Sequence, residues 1–183
     1  MKVDLHCHSN VSDGVLPPAL VAAHARQGGV DVWALTDHDE VGGTAAARAA
    51  AREQGMRFVA GVEISITWGG ETVHIVGLQI DEDDPALVQG LAATRSGRDA
   101  RGRETLQQGV LFDEFKQLGG AAIEVVTGSH TPDQYPVYAQ LANAYGFLAS
   151  RGTDFHAPGE ARVDFAALPP LPGNVTPVWH DWF

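Results

Sequence analysis

The sequence predicts an α/β protein in which parallel strands alternate with helices. Strand-like and helix-like stretches follow one another along the 183 residues, with no internal repeat. The stretch "VDVWALTDHD" is apolar over most of its length, as strands buried on both faces of a parallel sheet are. The helix-like stretches that follow begin or end at prolines and glycines in the usual places. We therefore expect a parallel β/α architecture in a single domain that spans residues 1–183.

The amino-terminal half contains four expected strands and two expected helices. "KVDLHCHS" is the first strand, and "PPALVAAHARQGG" is a helix that begins with prolines and ends at a glycine pair. After the second strand, "TAAARAAAREQG" is a helix with Thr44 as its N-cap and Gly55 as its stop. "RFVAGVEISITW" and "ETVHIVGLQI" are strands joined around Gly69 and Gly70, which is a hairpin signal.

The carboxy-terminal half continues the alternation after an irregular interval. A helix begins at Pro85, and residues 95–104 form a run of Arg, Gly and Asp that predicts a weakly ordered or solvent-facing segment. The helix "LFDEFKQLGG", the strand "AAIEVVTGS", the helix "TPDQYPVYAQLANAYG" and the strand "FLASRGTDFHA" follow. The proline-rich tail "ALPPLPGNVTPVW" is expected to wrap over the outside.

Composition and charge restrict the classes of function. Twelve Lys and Arg against 23 Asp and Glu give a net charge of −11, which disfavours long nucleic acid but is compatible with a small phosphorylated substrate. No apolar run is long enough to cross a membrane, and no signal segment is visible at the first residues. The single cysteine, Cys7, cannot form an internal disulfide. We expect a cytoplasmic protein without a membrane partner.

Histidines and carboxylates recur where the predicted strands end. His6 and His8 lie two residues apart on the first strand, so both face the same side while Cys7 faces away. Asp154 and His156 repeat this spacing on the last strand. Because chemistry in parallel β/α folds collects at the carboxyl ends of strands, these side chains are expected to converge. The candidate ligands are His6, His8, Asp13, His38, Glu63, His74, Asp154 and His156.

Eight candidate ligands exceed the needs of one ion, so we expect a cluster of two or three divalent ions. A set of imidazoles and carboxylates without a thiolate suits Zn, Mn or Fe(II). Such a cluster generates hydroxide from bound water near neutral pH and binds anionic oxygens, as in metal-assisted phosphoester hydrolysis.

The other polar side chains are interpreted separately. His24 and His180 are expected to be structural, whereas His130, just after a strand, is either a substrate contact or a loop residue. Three carboxylates are expected to orient imidazoles or to cap helices, namely Asp4, Asp37 and Asp39.

Several separate motifs in this order resemble the PHP (polymerase and histidinol phosphatase) superfamily: "DLHCHSNVSDG", "ALTDHD", "GVEIS", "HIVGL" and "GTDFHAPGE". "IEVVTGSH" and "DFHAPGE" favour the branch of nucleoside-bisphosphate phosphatases and RNase AM-like enzymes. The resemblance covers residues 1–94 and about 110–180. It implies a distorted β/α barrel of seven strands around a metal centre, usually trinuclear. It also implies removal of phosphate from nucleoside 3′,5′-bisphosphates or related attack on short RNA 5′ ends.

The resemblance implies a role for each matching residue. One ion would be held by His6, His8, Glu63 and Asp154, a second by Asp13, His38 and His156, and a third by Glu63 and His74. Metal hydroxide would attack phosphorus in line, with His156 or His130 assisting the leaving group. The residues expected to carry the chemistry are His38, Asp154, His156 and His130.

Two features of the family are missing from this sequence. No His-Pro pair occurs, so the strand that carries an Ala-His-Pro-Gly-Arg-like motif is absent, as is a neighbouring helical insertion. We expect a PHP-type barrel shortened by about one strand and a cap, with the join near residues 95–110. The open strand edges would be covered by that segment, by neighbouring strands or by a second subunit. The candidates to replace the lost phosphate contact are His130, Arg151 and Arg162.

Three functional hypotheses remain at this point. The leading one is a metal-dependent phosphoesterase for small phosphorylated substrates, which the resemblance implies to be nucleotides. The second is a remnant that binds metal or nucleotide without turnover, because one ligand motif is absent. The third is a metal-dependent amidohydrolase, which the lack of a strand-end lysine for carbamylation disfavours.

Overall fold

The computed structural model describes residues 1–96, 108–160 and 162–182, and within these ranges six strands alternate with five helices. The strands are β1 (Val3–Asp4), β2 (Val32–Leu35), β3 (Arg57–Trp68), β4 (Glu71–Leu78), β5 (Ala122–Thr127) and β6 (Leu148–Gly152). The helices are α1 (Pro18–Gln27), α2 (Thr44–Glu53), α3 (Pro85–Ser96), α4 (Gln108–Gln117) and α5 (Gln134–Tyr145). The expected α/β architecture is thus confirmed, whereas the single domain over 1–183 stays a prediction.

The strands form two hydrogen-bonded sheets that adjoin each other. Strands β1, β2 and β3 are parallel neighbours, β4 is antiparallel to β3, and β5 is parallel to β6. Backbone hydrogen bonds join β6 to β1, since the Leu5 N–H donates to the Arg151 carbonyl at 3.0 Å and the His8 N–H to the Phe155 carbonyl at 2.8 Å. The sheets therefore continue into one curled half-barrel in the order β4, β3, β2, β1, β6, β5.

One glycine permits the close approach of β6 to the first strand. A Cβ at Gly152 would lie 2.3 Å from the Cβ of His6, which is too close for any side chain. The hairpin between β3 and β4 turns at Gly69 and Gly70, whose φ angles of 54° and 84° favour glycine. The predicted hairpin is therefore confirmed.

The two faces of the first sheet pack differently. Trp33 and Leu35 of β2 lie with buried residues of α1 and α2, which form the outer layer. Val32 and Ala34 alternate with them and pack on the opposite face together with Val59 of β3. A second core lies between β5, β6 and helices α4 and α5.

The tail lies in a different place from the one we expected. The Ala149 N–H donates to the Thr176 carbonyl at 2.8 Å, and the Val178 N–H donates to the Ala149 carbonyl at 2.9 Å. Val178, Trp179 and Trp182 pack on the apolar cluster opposite α1 and α2. The expectation that the tail wraps over the outside therefore needs correction, because its partly buried aromatic side chains pack against the face of the sheet opposite α1 and α2.

Two smaller expectations also need correction. Gly43, not Thr44, occupies the N-cap of α2, and no side chain caps that helix. Thr44 is instead its first residue and is buried. Residues 97–104 of the predicted irregular segment lie outside the described residues, but Arg95 and Ser96 belong to α3.

No helix in the described ranges has the length and hydropathy to span a membrane.

Candidate metal centre

The first two histidines meet on the inner side of the half-barrel. The Nε2 atoms of His6 and His8 lie 3.2 Å apart, and each lies close to the Glu63 Oε2 atom, at 3.0 and 3.1 Å. The Asp154 Oδ1 atom lies 3.5 Å from His6 Nε2 and 3.4 Å from His8 Nε2. The Cys7 Sγ atom faces the other way and accepts a hydrogen bond from Trp33 Nε1 at 3.0 Å. The predicted orientation of this pair is confirmed.

These distances fit a divalent ion. Bonds from zinc to imidazole measure about 2.0–2.1 Å, so the ligand atoms around a tetrahedral ion lie roughly 3.3 Å apart. The His8 Nδ1 and His38 Nδ1 atoms are buried and have no hydrogen-bond partner among the described residues. Buried imidazole nitrogens without partners carry a desolvation penalty that a bound ion would relieve.

Two further groups of ligand atoms adjoin the first. His8, Asp13, His38 and His156 form one, in which Asp13 Oδ1 lies 3.3 Å from His156 Nε2 and Asp13 Oδ2 lies 3.6 Å from His38 Nε2. His38, Glu63 and His74 form the other, in which Glu63 Oε1 lies 2.7 Å from His74 Nδ1. The structure thus brings all eight predicted ligands together, and it adds His8 to the group that we expected from Asp13, His38 and His156.

Backbone conformation aims Asp154 into the centre. Its φ of 54° lies in the left-handed region, which few residues other than glycine adopt. The Asp154 N–H donates to the His6 carbonyl at 2.8 Å, and the Ser129 hydroxyl donates to Asp154 Oδ2. The strained residue is thereby held from both its backbone and its side chain.

Asp37 supports the loop that carries Asp13. Its carboxylate accepts hydrogen bonds from the Ser9 N–H at 2.7 Å, the Ser9 hydroxyl at 2.7 Å and the Ser12 hydroxyl at 2.8 Å. The side chain is buried, with 2% exposure of the residue. Asp37 therefore orders residues 9–13 rather than an imidazole.

We expect Asp37→Ala to lower the free energy of unfolding by about 1–3 kcal/mol, because the buried Ser9 N–H loses its acceptor. Ion affinity at the group containing Asp13 should fall about tenfold. Urea unfolding and ion titration measure the two effects. Asp164→Ala is the matched control, since Asp164 accepts a hydrogen bond from His24 outside the ligand groups. Wild-type values for Asp37→Ala in both measurements would contradict this role.

The electrostatics of the centre keep its carboxylates ionised. Burial alone would raise the pKa of Glu63, but contacts with His6, His74 and His8 hold it well below the ordinary value. The same competition lowers the pKa of Asp154 to about 2, through the hydrogen bond with His8 and the charge of His6. Both carboxylates are therefore ready to bind cations at any pH near neutral.

The pKa values of the imidazoles shift in opposite directions. Burial would lower the pKa of His6, but the carboxylates of Glu124 and Glu63 outweigh it and raise the pKa well above the ordinary value. Carboxylate contacts likewise raise the pKa of His8 and His74. For His38, burial prevails and lowers the pKa. In the metal-free protein, protons therefore neutralise part of the carboxylate charge.

This protonation predicts the pH dependence of ion binding. Since His6, His8 and His74 have raised pKa values, an ion must displace protons from them, so its apparent affinity should rise with pH until those pKa values are passed. The metal-free protein should lose stability over the same rise, because a raised folded-state pKa stabilises only while the group is protonated. Calorimetric ion titration in buffers of different ionisation enthalpy counts the protons released. An affinity that is flat between pH 6 and 8 would contradict the prediction.

The candidates for phosphate contact occupy three different environments. The ring of His130 stacks on Tyr138 with centroids 4.0 Å apart, and its pKa is lowered by burial. Arg162 donates to the Tyr135 hydroxyl at 3.3 Å. Arg151 is buried and donates to the Leu168 carbonyl at 2.9 Å. Arg151 is therefore unsuited to its expected contact with phosphate, because its guanidinium is held in the interior.

Side chains outside the predicted set also support the centre. Glu124 of β5 accepts a hydrogen bond from His6 Nδ1 at 3.0 Å, a contact that motif reasoning missed. Its only signal was a lone charge within the apolar strand "AAIEVVT". Asp4 and Asp39, which we expected to orient imidazoles or to cap helices, accept backbone N–H groups. Asp4 accepts from His6 and Thr153, and Asp39 accepts from Ser65.

A cavity of about 1050 Å³ adjoins the ligand groups. His6, Glu63 and His74 line one part of it, and His130 lines another. Strands β4 and β5 border the cavity, and among the described residues β4 pairs only with β3 and β5 only with β6. The gap between these two strand edges is therefore continuous with the candidate centre, and apolar residues of α4 and the tail line much of the rest.

The curled β/α sheet, with imidazoles and carboxylates gathered at its strand ends, defines a class of α/β proteins with a site suited to divalent ions. Comparison with known families makes the assignment specific. The PHP domain matches residues 4–148, and the chain belongs to this family. The predicted resemblance is confirmed.

Similar proteins support a hydrolase of the phosphoesterase type. The chain is 30% identical to a 3′,5′-nucleoside bisphosphate phosphatase from Chromobacterium violaceum, over 98% of this chain and 96% of the relative. It is 40% identical to a 5′-3′ exoribonuclease from Haemophilus influenzae, over 84% of this chain and 55% of the relative. The first alignment extends over 274 positions, against 183 residues in this chain, so the relative has a long interior stretch without a counterpart here.

A solved structure confirms the fold. It is described as an amidohydrolase from Chromobacterium violaceum with bound sulfate and no metal, and it shares 28% identity with this chain. The superposition has a TM-score of 0.89 and covers 99% of this chain and 95% of the other. The PHP-type α/β fold is therefore established for this chain.

Proposed function

We propose that the protein is a metal-dependent phosphoesterase that hydrolyses small phosphorylated nucleotides. The observation that carries the proposal is the convergence of eight imidazole and carboxylate side chains into three adjoining groups. Nucleoside 3′,5′-bisphosphates and short RNA 5′ ends are the proposed substrates. The names of the phosphatase and exoribonuclease relatives support this choice.

We propose two or three ions of Mn, Zn or Fe(II) as cofactors. The groups that could hold them are His6, His8, Glu63 and Asp154; His8, Asp13, His38 and His156; and His38, Glu63 and His74. Because a neutral imidazole has one free lone pair, His8 and His38 would each bind one ion at a time. When bound, the ions acidify a water nucleophile and stabilise charge on phosphate oxygens.

The residues of the chain prepare the site for this chemistry. His156 Nδ1 donates to the Asp154 carbonyl at 3.0 Å, which leaves the lone pair of His156 Nε2 directed toward Asp13. The lowered pKa of His38 keeps its ring neutral near pH 7, as a ligand requires. Asp154, fixed by Ser129 and by its own backbone, adds its carboxylate to the group that contains His6, His8 and Glu63.

His130 is our candidate for contact with the leaving group. It lines the same cavity as His6 and His74, and its ring is held parallel to Tyr138 with an interplanar angle of 7°. Its lowered pKa makes it a neutral donor or acceptor at physiological pH, not a fixed cation. Arg162 lies close enough to His130 to influence that pKa, and we propose it as the cation that contacts phosphate near His130.

We further propose a cytoplasmic protein with small-molecule substrates and without long nucleic acid or membrane partners. The single cysteine and the net charge of −11 support these assignments. A second subunit at the edges of β4 or β5 is compatible with the gap between them.

The test is phosphate release from a nucleoside 3′,5′-bisphosphate and from a 5′-phosphorylated short RNA in the presence of Mn²⁺. Release that disappears in a His38→Ala protein would support the proposal. No release with any divalent ion, from a protein that binds those ions, would identify a binding remnant instead.

The similar structure described as an amidohydrolase motivates one further assay, on an amide substrate. The two lysines of the chain donate to backbone carbonyls away from the ligand groups, Lys2 to Gly28 and Ala166 and Lys116 to Tyr145 and Gly146. We therefore expect no turnover of the amide, since neither lysine is placed to bridge ions after carbamylation.

A further inference from the structure

Glu124 occupies an unusual place in β5. It is the only charged residue in this strand, and a register shift between Glu124 and Val126 interrupts the pairing with β6. Val125 and Val126 are both buried in the apolar core shared with α5. Irregularities of this kind redirect side chains, and here the glutamate lies on the cavity side of the strand.

The carboxylate contacts the outer nitrogen of a proposed ligand. His6 Nδ1 lies 3.0 Å from Glu124 Oε2, while His6 Nε2 lies among Glu63, His8 and Asp154. The His6 side chain is 6% exposed and the Glu124 side chain 24% exposed, so the contact is shielded from water. Glu124 itself belongs to none of the three ligand groups.

This geometry determines which nitrogen carries the proton in a neutral His6. An ionised carboxylate only accepts hydrogen bonds, so it requires a proton on Nδ1 and leaves the Nε2 lone pair free. That lone pair points to where an ion would bind. Carboxylates on the far nitrogen of a ligand imidazole fix its orientation and raise its basicity.

We propose that Glu124 is a positioning residue that holds His6 in its metal-binding orientation, an inference that rests on the proposed metal centre. Structural packing alone accounts poorly for this carboxylate, because its Oε1 atom is buried without a hydrogen-bond partner among the described residues. A buried unpartnered carboxylate oxygen destabilises the fold. The contact that Oε2 makes with His6 accounts for a carboxylate at this position.

The experiment measures ion affinity directly, by competition of Mn²⁺ and Zn²⁺ with a chromophoric chelator and by ion content after dialysis. We expect Glu124→Leu to weaken the tightest affinity by about 10- to 100-fold. Glu124→Gln should retain most of the affinity, because an amide oxygen still accepts from Nδ1, although more weakly than a carboxylate. Glu71→Ala, at the exposed start of β4, is the control and should bind as wild type.

The outcomes separate this inference from the proposed function. A Glu124→Leu protein with a cooperative unfolding transition and wild-type affinity overturns the positioning role alone. Equal losses in Glu124→Leu and Glu71→Ala also overturn it, since the effect would then follow net charge. A wild-type protein that binds no divalent ion overturns the metal centre and this inference together. A wild-type protein that binds ions but releases no phosphate overturns only the proposed activity, and the Glu124 comparison still decides the positioning role.

Discussion

Replacing Glu63 with glutamine is expected to lower phosphoester hydrolysis by about a thousandfold or more. Glu63 is the carboxylate that two ligand groups share, since Oε2 faces His6 and His8 while Oε1 faces His74. Loss of its charge removes an anionic ligand from two neighbouring positions. Ions that stabilise transition-state charge contribute several kcal/mol, and each 1.36 kcal/mol is a factor of ten in rate.

Ion content provides the second readout for Glu63→Gln. Because Glu63 serves two groups and His74 only one, the glutamine variant should lose more bound ion than His74→Ala. Glu53→Gln, the same chemical change on the exposed end of α2, is the control and should keep full activity. A Glu63→Gln protein with wild-type ion content and rate would show that the cluster is not a shared metal site.

Removal of divalent ions is expected to abolish hydrolysis completely and to lower the melting temperature. The buried centre places three or more imidazoles beside ionised carboxylates, and bound ions replace the protons that otherwise balance this charge. An ion present at 100 times its Kd stabilises the folded state by about 2.7 kcal/mol per site. For a chain of this length, that corresponds to a rise in Tm of roughly 5–10 °C.

The measurement is a thermal scan and an activity assay after chelation and after readdition of Mn²⁺ or Zn²⁺. His8→Ala is the informative variant, because His8 belongs to two of the three groups and its loss should reduce the stabilisation by ions. Hydrolysis that survives exhaustive chelation, with no change in Tm, would exclude the proposed mechanism.

The number of ligands in the third group makes ion number a useful readout beside activity. The third group contains only His38, Glu63 and His74, and it shares His38 and Glu63 with its neighbours. Among the described residues, this position has no fourth ligand. From this ligand count we predict a centre in which two ions bind tightly and a third binds weakly.

Local sequence pattern was sufficient to predict which residues gather in the candidate metal centre, and much of the fold. The i, i+2 spacing of His6 and His8, and of Asp154 and His156, determines that each pair faces one side of an extended chain. The glycine pair predicted the hairpin, and the apolar runs predicted the buried strands. Both features depend on a few neighbouring residues, so the local sequence is enough to predict them. The resemblance to PHP motifs then implied which of these residues belong to which ion.

Tertiary structure alone decided how these elements meet. It directed Glu124 onto His6, brought His8 into a second ligand group, held Arg151 in the interior and placed Trp179 and Trp182 on the inner face of the sheet. Each of these contacts joins residues far apart in the chain and depends on a register shift, a strand order or the space left between strand edges. Sequence periodicity determines which side of an element a residue occupies, but the packing of all elements together determines what lies opposite.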